Sequence, residues 1–153
     1  KLAVSDKAVT IQAQSITIYS NLVEGRYPRW RDVVPDVSDM HNIDMVVGPL
    51  ATALRQASIL VDQDKPGVIF SFDKGRLELD THGASLGNSK VELPIAYDGE
   101  PIQIRLDEAF FLEFLRVLEN EQTFSFQFIN NDTGVVCRTE DDYTYVIMPL
   151  TLD

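Results

Sequence analysis

Apolar and polar residues alternate with a period of two through KLAVSD, VTIQAQ and SITIYSNLV, the pattern of half-buried strands, in the first 23 residues. The pattern then changes. NIDMV (42–46) is a short strand, and Gly48-Pro49 opens a helix in which Leu50, Leu54, Ala57 and Leu60 or Val61 share one face, with Thr52, Arg55 and Gln56 turned away. VIFSF and RLELDTH follow on either side of the tight turn Asp73-Lys74-Gly75, predicting a hairpin. The Gly/Ser/Asn-rich stretch from Gly83 to Ser89 predicts a loop, and VELPIAY a third strand.

The same order then begins again. PIQIRL is a strand, Asp107 is a good helix cap, and EAFFLEFLRVLEN is a helix with Phe111, Phe114, Leu115 and Leu118 turned inward. TFSFQFI, VVCR and YTYVIM are three more strands, separated by the turn clusters NNDTG and TEDD. Two βαβββ units in succession predict an α+β fold, even though the halves share almost no residue identities. Residues 1–35 belong to neither unit. They end in a proline-bounded stretch, Tyr27-Pro28 to Pro35, and the acidic segment DVSD follows as a linker. A domain boundary therefore falls near residue 36, with 1–35 the final strands of one domain and 36–153 a second domain. Beginning at Lys1, almost at once inside a strand pattern, the chain reads as a piece of something longer.

Composition narrows the function. At 153 residues, with 44% hydrophobic and 24% charged residues, the chain can bury a core without staples. The single cysteine, Cys137, excludes an internal disulfide and fits a reducing, cytoplasmic setting. No apolar run is long enough for a membrane helix, so no membrane partner is expected. A formal net charge of −11 opposes long-range attraction to nucleic acid. DNA could be met only through a local basic stripe or by topological enclosure.

Enzyme chemistry finds little support. His41 and His82 lie in dissimilar contexts and no nucleophile motif accompanies them. Cys137 sits in a predicted strand as a small hydrophobe. Asp132, Glu140, Asp141 and Asp142 fall in turns without calcium-loop spacing, and Gly83 to Gly87 lacks the context of a phosphate loop. No catalytic residue, metal or cofactor is expected. A metal-dependent hydrolase built on the turn carboxylates is the weakest of three function classes.

Two motifs carry a resemblance. Leu22-Val23-Glu24-Gly25-Arg26-Tyr27-Pro28-Arg29-Trp30, followed by Val33-Val34-Pro35, resembles the motif that closes the middle domain of bacterial DNA sliding clamps. Tyr145-Val146-Ile147-Met148-Pro149-Leu150 resembles that family's ending, a tyrosine strand running into Met-Pro-Met-Arg-Leu. Between them Ala53 to Leu60 looks like the first helix of the third clamp domain. The resemblance covers the whole chain and implies the C-terminal part of the DNA polymerase III beta subunit. Such clamps are non-catalytic processivity factors. Each domain pairs two βαβββ units, sheets outside and helices on the inner face, and two chains close head to tail as a homodimer around duplex DNA.

The resemblance also implies sites. A groove for short peptides of the DNA polymerase III alpha subunit, the clamp loader and repair proteins would draw on Pro28, Val33, Val146, Ile147, Met148, Pro149 and Leu150. Arg55 and Arg116, one on each helix, would face DNA, and Ile59 and Leu60 would meet the other chain of the ring. Three positions depart from the family pattern: Asp32 stands for a frequently basic residue, Thr151 for the arginine of the usual ending, and Asp153 extends the chain one residue past the customary leucine, Leu152. They bear on the charge at the groove rim and hence on peptide preference. The implied setting is cytoplasmic and nucleoid-associated. The alternative to a ring is a clamp-like module that docks peptides without encircling DNA.

Overall fold

The computed structural model describes residues 1–25, 29–36, 38–61, 66–83 and 87–152. They form two compact units, Lys1–Val33 and Val34–Asp153. In the first, strands β1 (Leu2–Val4), β2 (Ala8–Ala13) and β3 (Ile16–Asn21) make an antiparallel sheet in chain order, and a short helix α1 (Trp30–Val33) follows. Leu2 pairs with Ile11, Ile11 with Ile18, and Val4 with Val9. Since cross-strand partners and every second residue share a face, Leu2, Val4, Val9, Ile11, Ile16 and Ile18 line one side of this sheet. Leu2, Val4, Ile11, Ile16 and Ile18 are all exposed, so the unit leaves its apolar face uncovered.

The second unit contains both βαβββ runs. The first comprises β4 (His41–Val46), α2 (Val47–Ala57), β5 (Val68–Asp73), β6 (Arg76–Gly83) and β7 (Gly87–Pro94). The second comprises β8 (Ile102–Leu106), α3 (Glu108–Arg116), β9 (Thr123–Phe128), β10 (Val135–Arg138) and β11 (Thr144–Ile147). The two runs are interlocked. One sheet has the order β11-β10-β9-β4 and the other β7-β6-β5-β8, so the opening strand of each run joins the sheet built by the other.

The core lies between these sheets and the helices. Phe70 and Phe72 from β5, Phe111 and Phe114 from α3, and Phe126 and Phe128 from β9 are fully buried, with ring centroids 4.8 Å apart for Phe72 and Phe128. Helix α2 contributes Leu50, Leu54 and Ala57 at helical spacing, while Thr52, Arg55 and Gln56 stay exposed, as the periodicity predicts. Pro49 is tolerated in the first turn, where its missing N–H has no helical partner. The Asp107 side chain caps α3 by accepting from the Ala109 N–H at 2.9 Å.

Three local expectations need correction. The predicted Gly83–Ser89 loop is mostly strand: Gly83 pairs with Gly87 and His82 with Asn88, extending the β6–β7 hairpin. Cross-strand bonding in a long ladder outweighs the weak strand propensity of Gly, Ser and Asn; residues 84–86 lie outside the described set. Helix α3 stops at Arg116 rather than continuing to Asn120, because the chain tightens through the Leu118 N–H to Leu115 C=O bond and turns to start β9 beside β4. Strand β11 ends at Ile147, one residue before Met148, with Pro149 lacking the N–H that a ladder needs.

Candidate functional site

The C-terminal edge carries the candidate run Val146 to Leu150. Strand β11 is an edge strand held antiparallel to β10, with Val146 opposite Val136 and Ile147 opposite Val135. Alternation splits the motif between two environments. Ile147 is in the core, 5% exposed, whereas Met148 is 60% exposed. Val146, Pro149 and Leu150 are half-buried. Tyr145 sits upstream with its ring 5.2 Å from that of Phe114 and its hydroxyl donating to the Phe110 carbonyl at 3.1 Å. Partial burial, and then the nearby Glu113 carboxylate, push its phenol pKa up, so this donor stays protonated at neutral pH.

Two glycines shape this edge. A β-carbon on Gly134 would stand 3.2 Å from both the Met148 sulfur and Val146 Cγ1, and 3.6 Å from Pro35. Pro35, Val146 and Met148 therefore gather round a position with no side chain. Gly67 has φ +104°, and a β-carbon there would lie 2.8 Å from Leu150 Cδ1. Beyond Pro149 the chain crosses to the other sheet, where the Leu150 N–H donates to the Arg105 carbonyl of edge strand β8 at 2.8 Å. Gly67, Arg105 and Gly134 were not picked out from the sequence. Glycine in a turn cluster reads as punctuation, and nothing local marks Arg105 as a neighbour of residue 150.

The remaining candidates fall elsewhere. Val33 is exposed at the end of α1 in the first unit, and Pro28 lies outside the described residues. Arg55 and Arg116 are exposed in the last turns of α2 and α3, helices that pack against each other, and Glu113 is also exposed on α3. Ile59 and Leu60 form a single 3-10 turn, Ser58–Leu60, against β6 and the edge strand β7. Ile59 is 75% exposed and Leu60 half-buried, so burial in the domain's own core does not account for Ile59. The buried Thr81 hydroxyl fastens this corner by donating to the Ala57 carbonyl at 2.8 Å. An apolar cleft of about 340 Å³, lined by Met45, Val46, Pro49, Leu50, Leu93 and Ile95, includes none of the candidates.

Of the residues weighed for chemistry, Cys137 and the TEDD turn are held within the fold. Cys137 is fully buried, and burial pushes its thiol far above the usual range. The TEDD turn is bonded within itself: the Thr139 hydroxyl donates to the Asp141 carboxylate, and the Thr139 N–H donates to the Tyr143 carbonyl at 3.0 Å. Among the described residues no three His, Cys, Asp or Glu side chains converge as a metal set. Among them, too, no helix is long and apolar enough to cross a membrane.

A family model described as the DNA polymerase III beta subunit, C-terminal domain, matches residues 31–151. The chain belongs to this family. Among curated relatives, the beta sliding clamp of Chlamydia pneumoniae is 24% identical over 144 residues, covering 94% of this chain and 39% of the relative. The beta sliding clamp of Pseudomonas putida is 26% identical over 140 residues, covering 89% of this chain and 37% of the relative. Solved sliding clamps share the fold. The DNA polymerase sliding clamp of Pseudomonas aeruginosa superposes with a TM-score of 0.82 at 20% identity, over 99% of this chain and 41% of that one. The pol III beta of Caulobacter crescentus superposes with the same score at 21% identity, again over 99% and 41%. The chain thus spans about two fifths of the length of the curated clamps it matches.

Proposed function

We propose that this chain is the C-terminal part of a DNA sliding clamp, a non-catalytic, cytoplasmic processivity factor that docks polymerase, clamp-loader and repair proteins through a short-peptide groove. The observation that carries this reading is the edge around Gly134, where Val146 on β11 and the exposed Met148 just past its end stand together in a segment resembling the family's C-terminal motif. A thioether repacks readily, which suits a surface that accepts several peptides. Leu150 and Pro149 extend this edge; Ile147 anchors it from the core. Pro28 and Val33 are assigned to the groove on the resemblance alone.

In the same reading residues 1–35 are the last strands of the preceding clamp domain and 36–153 the third domain. The uncovered apolar face of β1, β2 and β3 supports this, since a sheet side lined by six apolar residues needs cover from chain beyond its own unit. Arg55 and Arg116 on the paired helices would face duplex DNA in a ring closed head to tail, with Ile59 and Leu60 at the junction between chains. A sparse basic face suits sliding, because few phosphate contacts avoid the strong, salt-sensitive grip of a tight phosphate-contacting interface.

Fluorescence anisotropy with a labelled Gln-rich, Leu-Phe-ended clamp-binding peptide tests the docking claim. Binding that weakens on Met148→Ala supports the site. Absence of binding even by a protein carrying the complete preceding domain would sink it. A clamp-like module that docks peptides without encircling DNA is favoured by one feature, Glu113 exposed on the same helix as Arg116. Loading onto nicked circular DNA, followed by release on linearisation, separates the two readings.

A further inference from the structure

Between Ile147 and Thr151 the chain is fastened at both ends. Ile147 is buried and paired with Val135 on β10, in one sheet. Three residues later the Leu150 N–H bonds the Arg105 carbonyl of β8, in the other sheet. The Arg105 side chain adds a second tie, its Nη1 donating to the Thr151 carbonyl at 3.3 Å. Gly67 clears the seat for Leu150, since a β-carbon there would meet Leu150 Cδ1 at 2.8 Å and the Leu106 carbonyl at 2.9 Å. The span between the anchors is Met148 and Pro149, and the proline ring fixes its own φ.

We infer that Arg105 is a positioning residue, which latches the C-terminal tail across the two sheets and so presents Met148 to an incoming peptide in a preset conformation. The inference rests on the docking reading given above and adds how the affinity is obtained. A free four-residue tail would have to be ordered on binding, and that entropy cost would weaken the complex. With the tail already pinned, ordering occurs on folding instead. The bond from Leu150 uses the Arg105 main chain and survives any substitution at 105. The tie to Thr151 uses its guanidinium and does not.

The test compares the wild-type chain with Arg105→Ala, Arg105→Lys and Leu150→Pro, using the same labelled peptide. Amide hydrogen exchange at Leu150, whose N–H is the one bonded to the Arg105 carbonyl, and the melting temperature are measured alongside. In Arg105→Ala faster tail exchange is expected, with peptide affinity lowered roughly tenfold and the melting temperature unchanged. Arg105→Lys, which keeps a donor for the Thr151 carbonyl, should recover most of both effects. Leu150→Pro, which removes the main-chain donor, should lower the peptide affinity further. Equal affinity for wild type and Arg105→Ala, in a chain that does bind peptide, overturns the inference and leaves the docking reading standing. If neither wild type nor a protein carrying the complete preceding domain binds peptide, the docking reading fails instead. The latch itself is then decided by exchange, and unchanged rates in Arg105→Ala refute it.

Discussion

Ile147 and Met148 are neighbours in the chain with opposite surroundings, and truncating each to alanine should have opposite consequences. Ile147 is 5% exposed and packs in the same core cluster as Phe124, Phe126, Val135 and Cys137. Removing its three outer carbons deletes buried apolar surface and leaves a cavity, a loss of about 2–4 kcal/mol for a well-packed aliphatic side chain. Met148, at 60% exposure, has most of its side chain in water already, so Met148→Ala should change stability by no more than about 0.5 kcal/mol. Urea unfolding followed by far-UV circular dichroism reads both. With a slope of about 2 kcal/mol per molar, the middle of the usual range for small domains, Ile147→Ala should lower the midpoint by about 1–2 M and Met148→Ala by under about 0.3 M. Peptide anisotropy supplies the other half: Met148→Ala should weaken binding by about fivefold or more, the mark of a contact residue. Equal midpoint shifts for the two variants would refute the assignment of inward and outward faces at this edge.

Other outcomes follow from single contacts. Thr81→Val keeps the shape but leaves the Ala57 carbonyl without its buried donor, and should cost about 1–3 kcal/mol in the same urea titration. Ile11→Lys places a charge on the uncovered sheet face of the first unit; binding of the dye ANS should fall while the unfolding midpoint of the second unit stays in place. Cys137 should resist DTNB in the native protein and react once urea exposes it. Burial raises its thiol pKa on folding from an ordinary 9.0, so the native state keeps a proton that the unfolded chain releases. That contribution is complete below pH 9.0 and is lost as the pH rises above it, and Cys137→Ala should flatten this alkaline decline measured by urea midpoints at several pH values.

The amino-acid sequence determined the elements of this protein and their repetition. Alternation in TFSFQF and VIFSFD, helical spacing in the Leu50–Ala57 and Phe111–Leu115 stretches, and the cap at Asp107 are local signals. Each is set by side-chain geometry within a few residues, and each is legible without the fold. The end motifs, too, could be read directly, and with them the family. The partner of each strand could not. Asp44 on β4 meets Ser125 on β9 through a hydrogen bond between residues 81 apart, and no periodicity within β4 specifies that distant strand. The exchange of opening strands between the two runs is decided by closing one core between both sheets. The same holds at the candidate edge. Pattern alone made Val146 to Leu150 one motif, whereas packing turned Ile147 inward and Met148 outward. It also drew Gly134, Gly67 and Arg105 beside them, because contacts between the two sheets are made by tertiary folding and leave no local trace in the chain.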